Sequence, residues 1–141
     1  MILVYADHDR GVIEPLTFQA LTFARNIDSD IHAVLVGGSS AGVNASTAAT
    51  MLGEYGAQEV DVAELAGYSD YAPLAAARAL VELLGSTGAQ ALIAPSSPRG
   101  NEVLAHVAAI TDRPFVADCY SIDLGAPHKI VRARWAGNLH E

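Results

Sequence analysis

Cysteine is all but missing from this 141-residue sequence: Cys119 stands alone. No intramolecular disulfide can form, and such cysteine usage reads as that of an intracellular protein. Cations are scarce as well, with 8 Lys plus Arg against 16 Asp plus Glu and a net charge of -8. That balance repels nucleic-acid phosphates and anionic lipid surfaces, so neither is an expected partner. No stretch of about 18 apolar residues occurs, which speaks against a transmembrane helix. The first apolar run, Ile2 to Ala6, is broken by Asp7, His8, Asp9 and Arg10, where a secretion signal would still need its apolar centre. Repeats, low-complexity tracts and interdomain linkers are also lacking.

What remains is a chain 51% hydrophobic and 17% charged, too apolar for a disordered tail. Its length suits one domain of about 100 to 200 residues. A chain of this size buries roughly two-thirds of its unfolded surface, enough for a core without disulfides or metals. The expectation is a single compact domain over residues 1–141.

Short apolar runs alternate with segments of helical period, the signature of β-α-β units around a parallel sheet. Ile2 to Ala6 reads as a first strand, buried on both faces because it is continuously apolar. Asp7 to Glu14 follows as a polar loop containing Gly11. Pro15 then opens a helix whose inner face would carry Leu16, Ala20, Ala24 and Ile27. Ile31 to Val36 repeats the buried-strand pattern and ends in Gly37 and Gly38. Ala41 to Tyr55 predicts a helix closed by Gly56, and Val60 to Ala63 a short strand. Asp70 is placed to cap a helix ending at Gly85, with Leu74, Ala77, Val81 and Leu84 inward. Ala91 to Ala94 gives a fourth strand. Asn101 is placed to cap a helix through Ile110, with Val103, Leu104, Val107 and Ala108 inward and His106 outward. Phe115 to Leu124 and Ile130 to Trp135, separated by Gly125-Ala126-Pro127, are strand candidates where the alternation stops. The fold class expected is α/β, three-layered, with a mostly parallel sheet and helices on both faces.

Four places carry chemistry-bearing residues. Gly37-Gly38-Ser39-Ser40-Ala41-Gly42 follows a strand and opens a helix, as a phosphate cradle would. However, a dinucleotide fingerprint needs glycine where Ser39 stands, and a P-loop needs lysine where Val43 stands. The plainer reading is a tight βα turn. Asp7-His8-Asp9 lies past the first strand, at the sheet edge where such folds bind ligands. The histidines at 8, 32, 106, 128 and 140 are scattered, so no metal set is expected, and a solvated loop is the plainer reading of His8. Ser96 and Ser97 precede Pro98-Arg99-Gly100 at a helix start, where they either cap the helix or accept an anion. With no G-x-S-x-G elbow, a hydrolase nucleophile is not expected, and no catalytic residue is assigned. Cys119 has no basic neighbour and reads as a buried structural thiol.

Ala94-Pro95-Ser96-Ser97-Pro98-Arg99-Gly100-Asn101-Glu102-Val103-Leu104-Ala105-His106-Val107-Ala108-Ala109, followed by Pro114-Phe115-Val116-Ala117-Asp118-Cys119, resembles a segment of electron-transfer flavoprotein alpha subunits, including the nitrogen-fixation-associated relatives. Arg132-Ala133-Arg134-Trp135-Ala136-Gly137-Asn138 looks like that family's Arg-x-x-Tyr-Ala-Gly-Asn segment, with tryptophan for tyrosine. Val4-Tyr5-Ala6-Asp7-His8-Asp9, with Gly11 and Pro15, is similar to its first strand and loop. The resemblance implies an amino-terminal domain of an electron carrier rather than a catalyst. It implies a heterodimer with an electron-transfer flavoprotein beta subunit, carrying electrons from dehydrogenases to a membrane or quinone-linked acceptor. One FAD would be bound mainly in a carboxy-terminal domain beyond this sequence, with no cofactor-binding residue in the chain itself. The implied compartment is the bacterial cytoplasm, with the mitochondrial matrix as the alternative. Interface candidates are Arg132, Trp135 and Asn138, since Trp and Arg most often anchor interfaces.

The competing expectation is an adenine-nucleotide-binding module of the universal-stress-protein type, whose Rossmann-like topology looks similar. It would take ATP near Gly37 to Gly42 or Ser96 to Gly100. A hydrolase using Ser96 or His8 ranks last for want of a converging triad.

Overall fold

The computed structural model describes residues 1–65, 71–117, 119–125, 129–134 and 139–140. The chain runs through β1 (Ile2–Tyr5), the two-residue strands β2 (His8–Asp9) and β3 (Val12–Ile13), α1 (Leu16–Arg25), β4 (Ile31–Val36) and a short 3-10 turn (Gly38–Ala41). It continues through α2 (Ala45–Glu54), β5 (Glu59–Ala63), α3 (Pro73–Thr87), β6 (Ala91–Ile93) and α4 (Pro98–Thr111). β7 (Cys119–Asp123), β8 (Lys129–Arg134) and β9 (Leu139–His140) close it.

The main sheet is parallel, in the order β5-β4-β1-β6. Side chains of a strand alternate between faces, so each strand feeds two cores. Ile2, Val4 and Ala6 join Ile31, Ala33 and Leu35 under α1 and α2, whose Leu21, Ala24 and Leu52 are buried there. Leu3 and Tyr5 join Val34 and Val36 under α3 and α4, with Ala76, Ala77, Leu80, Val103 and Val107. This is the expected three-layer α/β arrangement, and its continuously apolar strands follow from burial on both faces. β7, β8 and β9 form a separate antiparallel sheet, so the βα alternation stops where the sequence indicated. Phe115, expected in that first strand, precedes it and is exposed.

Helix boundaries differ from expectation for local reasons. The glycine loop closes as a 3-10 turn between left-handed Gly37 and Gly42, so α2 begins only at Ala45. Its cap is Asn44, whose side chain accepts the Thr47 N–H. α3 passes through Gly85 and ends at Gly88, which adopts the left-handed conformation of a C-terminal cap. Leu74, expected inward, is 42% exposed, and Ala76, Ala77, Leu80 and Leu84 supply the buried stripe. On α1 the stripe is Thr17, Ala20, Leu21 and Ala24, while Leu16 and Ile27 are only half-buried. α4 starts with Pro98 behind Ser97, so Asn101 lies inside the helix on its exposed side. His106 is half-buried rather than outward. Asp70, the expected cap of α3, lies outside the described residues.

The segment expected to be a polar loop after β1 is a hairpin of β2 and β3. It is pinned by contact between two turns: a Cβ on Gly11 (φ +87) would meet the Gly42 carbonyl oxygen at 2.1 Å, and one on Gly42 would meet the Arg10 carbonyl oxygen at 2.7 Å. Only glycine fits at either place.

The inward stripe of α3 is testable. Leu80→Ala, at a fully buried site, should lower the unfolding free energy by about 3 kcal/mol, whereas Leu74→Ala should stay within about 0.5 kcal/mol. Urea titrations followed by circular dichroism measure both, and equal losses would mean the helix is rotated from the face described.

Candidate functional site

From β1 the chain turns to α1 on one face of the sheet, and from β6 to α4 on the other. The crevice at the carboxyl ends of β1 and β6 is therefore the switch point where open α/β sheets bind ligands. Asp7, immediately after β1, is only 4% exposed. Its Oδ2 accepts a hydrogen bond from Ser97 Oγ at 2.8 Å, and Ser97 Oγ in turn accepts the Gly100 N–H at 3.0 Å, capping α4. Gly100 packs against the preceding turn, since an added Cβ would come within 2.2 Å of the Pro95 carbonyl oxygen. The Asp7 backbone carbonyl accepts from the Glu14 N–H at 2.9 Å and the Thr17 hydroxyl at 3.4 Å. Oδ1 of the same carboxylate is buried with no hydrogen-bond partner among the described residues.

Around this pair the remaining polar groups are committed to structure. His8 lies 2.7 Å through Nε2 from the Val36 carbonyl, and its Nδ1 accepts the Gly11 N–H at 3.1 Å. Nε2 therefore carries the proton, and both nitrogens are used, leaving neither a metal ligand nor a free base. His8 is half-buried and ties the β2–β3 hairpin to β4, instead of sitting in a solvated loop. Arg99 donates through Nη1 to the His8 carbonyl at 3.0 Å, and its guanidinium lies 4.6 Å from the centre of the Tyr71 ring. Tyr71 donates to Glu102 Oε2 at 3.0 Å. Burial, first, and then the Glu102 carboxylate push the Tyr71 phenol well above its ordinary value of 10.0.

The glycine loop has the same character. Ser39 donates from its backbone N–H and from Oγ to Glu64 Oε1, at 3.2 and 3.4 Å, and Ser40 Oγ donates to the Gly37 carbonyl at 2.9 Å. The position a phosphate oxygen would take is filled by the chain's own carboxylate. At α4 the helix start carries the Asp7 carboxylate beside Ser97. Both places read from the sequence as possible anion cradles thus have donors already taken by carboxyl groups of the chain itself.

Of the other sequence-derived candidates, Ser96 is exposed and lines an apolar crevice of about 340 Å³ beside β6 with Phe23, Ile93, Leu104 and Cys119. Cys119 is half-buried, not fully buried, and its Sγ donates to the Val116 carbonyl at 3.5 Å. Arg132 stands in β8 opposite Cys119. Trp135 and Asn138 lie outside the described residues. Glu64, Tyr71 and Glu102 were not singled out from the sequence. Their partners are 25 to 31 residues away, and no spacing rule reaches that far.

Comparison with known proteins places these features in a family. A model described as "Electron transfer flavoprotein domain" matches residues 2–141. An electron transfer flavoprotein subunit alpha of Pseudomonas aeruginosa is 30% identical over 137 residues, covering 97% of this chain and 42% of that protein. A mitochondrial electron transfer flavoprotein subunit alpha of Oryza sativa subsp. indica is 33% identical over 142 residues, covering 96% of this chain and 38% of that protein. The chain thus spans about two-fifths of the length of these relatives. Among solved structures, protein Rv1636 from Mycobacterium tuberculosis H37Rv aligns with a TM-score of 0.44 at 19% identity, over 82% of this chain and 90% of that one. The fold assignment rests on strand order and not on that likeness.

Two outcomes test the site. Ser97→Ala removes the α4 cap and the partner of Asp7 Oδ2 together, and should cost about 2 to 3 kcal/mol in urea unfolding; a loss below 0.5 kcal/mol would mean the contact carries little. Because the folded state holds the Tyr71 proton more tightly than the unfolded state, that contribution is complete below pH 10 and is lost as pH rises further. Tyr71→Phe should accordingly remove part of the alkaline decline in stability, read as the difference between the two pH profiles.

Proposed function

The chain belongs to the electron transfer flavoprotein domain family, and on that premise we propose that it is the amino-terminal domain of an alpha-type subunit, a scaffold rather than the flavin holder. The observation that carries this reading is the family match over residues 2–141, joined by alpha subunits among the relatives. Proteins of this family are electron carriers. In the relatives, well over half of the length lies outside the matched segment, room enough for a separate FAD domain.

The two anion positions of this segment do not fit an FAD diphosphate. Ser39 already binds Glu64, and the start of α4 holds Asp7. Carboxyl groups bonded at both places favour a flavin held elsewhere in the complete protein, and they count equally against the ATP-binding alternative. In this reading the domain is a rigid support. It packs against its own flavin domain and against a beta subunit, with Arg132, Trp135 and Asn138 at the contact. The complete heterodimer would take electrons from dehydrogenases and pass them to a quinone-linked acceptor, in the bacterial cytoplasm or the mitochondrial matrix.

A fluorescence titration of FAD with the 141-residue chain, followed by excess ATP, tests this. No saturable quenching by the chain alone is expected, and mixing with an electron-transfer flavoprotein beta subunit and the flavin domain should restore it. Saturable FAD binding that ATP displaces would place a nucleotide pocket in this segment and overturn the scaffold reading.

A further inference from the structure

Away from the switch point, at the outer side of the parallel sheet, β4 and β5 bring together residues that lie far apart in sequence. His32 of β4 is the register partner of Glu59 of β5, and Asp61 lies two residues further along β5. Residues i and i+2 of a strand share a face, and neighbouring strands are about 4.8 Å apart, so the three side chains project on one side. One ligand atom from each, an imidazole nitrogen and two carboxylate oxygens, lies within 4.8 Å of the others.

We propose that His32, Glu59 and Asp61 form a binding site for a divalent transition-metal ion of the zinc type. Tetrahedral ligands at about 2.0 to 2.2 Å from a common ion lie about 3.3 to 3.6 Å apart, so atoms within 4.8 Å of one another close on an ion by about 1 Å, a movement the exposed Glu59 side chain can supply. The imidazole is already oriented for the task. His32 Nε2 lies 3.2 Å from Asp30 Oδ1, while Nδ1 faces Glu59 Oε2 at 3.5 Å. Donation of the Nε2 proton to Asp30 leaves the Nδ1 lone pair facing Glu59. A histidine that donates one ring N–H to a carboxylate and ligates with the other nitrogen is the recurring outer-shell arrangement of metal sites. Without a metal ion, Nδ1 and Glu59 make an ion pair only when the ring carries a second proton. With a doubly charged ion the two carboxylates neutralise it. One neutral nitrogen with carboxylate oxygens suits zinc and its neighbours, whereas magnesium and calcium prefer oxygen alone. β5 is the outermost strand of the sheet and Glu59 is 66% exposed, so the ion has a path of entry, and water would fill the remaining coordination positions. A bound ion would cross-link the edge strand to β4.

Calorimetric titration of the chelator-treated chain with zinc chloride tests the site. One equivalent should bind, with a rise in melting temperature. His32→Gln should abolish binding, Glu59→Gln should weaken it by about tenfold or more, and Asp30→Asn by about tenfold. His106→Gln should leave it unchanged. In ¹⁵N nuclear magnetic resonance of the imidazoles, zinc should shift His32 Nδ1 while Nε2 stays protonated. If His32→Gln fails to fold, Glu59→Gln, at an exposed position, decides. No binding by the native chain, or binding undiminished in Glu59→Gln, overturns the proposal.

Discussion

Strand β1 is hydrogen-bonded on both edges, to β4 and to β6, and all four of its side chains are buried. Two go to the core beneath α1 and α2 and two to the core beneath α3 and α4. Because one four-residue strand serves both layers, its position sets those of the others. The helices can bury their small, Ala-rich stripes only where β1, β4 and their neighbours present apolar rows. The same strand delivers Asp7 to the switch point, where the Ser97 hydroxyl joins it to the cap of α4. A single hydroxyl thus closes a helix end and ties together segments 90 residues apart in sequence.

Electrostatics separates this domain from the nucleotide-binding architectures that its strand order resembles. Those folds leave the glycine turn and the helix start open, with backbone N–H groups directed at a phosphate. Here Glu64 takes the N–H of Ser39, and Asp7 stands at the start of α4. Arg99 is held by the His8 carbonyl and lies over Tyr71. In a chain with net charge -8, the buried Asp7 and the exposed Glu64 take up donors in these turns that a phosphate would need. Arg132 stands in the separate antiparallel sheet of β7 to β9.

Much of the fold was legible because it depends on local pattern. Continuous apolar runs in Ile2 to Ala6 and Ile31 to Val36 can be buried only on both faces of a sheet. The helical period of the intervening segments then requires parallel pairing through crossovers. Boundaries were less legible wherever several residues could act as a stop or a cap. Gly85 and Gly88 both suit a helix end, and Ser97 and Asn101 both suit a helix start. The choice fell to the glycine that turns left-handed and to the serine that reaches Asp7. Leu74 shows the same limit, since a stripe rotated by part of a turn also looks apolar when alanine is so frequent.

By itself, the sequence determined an α/β domain with its parallel strands, its excess of carboxylates, and the motif order that resembles electron-transfer flavoprotein alpha subunits. Each is a property of neighbouring residues or of composition, so no long-range contact is needed to read it. Tertiary structure alone decided what the carboxylates do. Glu64 fills the glycine turn, Asp7 meets Ser97, and Glu59 and Asp61 come beside His32 only because strands and loops from distant parts of the chain are brought side by side. Such pairings follow from the register and order of the sheet, which no spacing along the chain encodes.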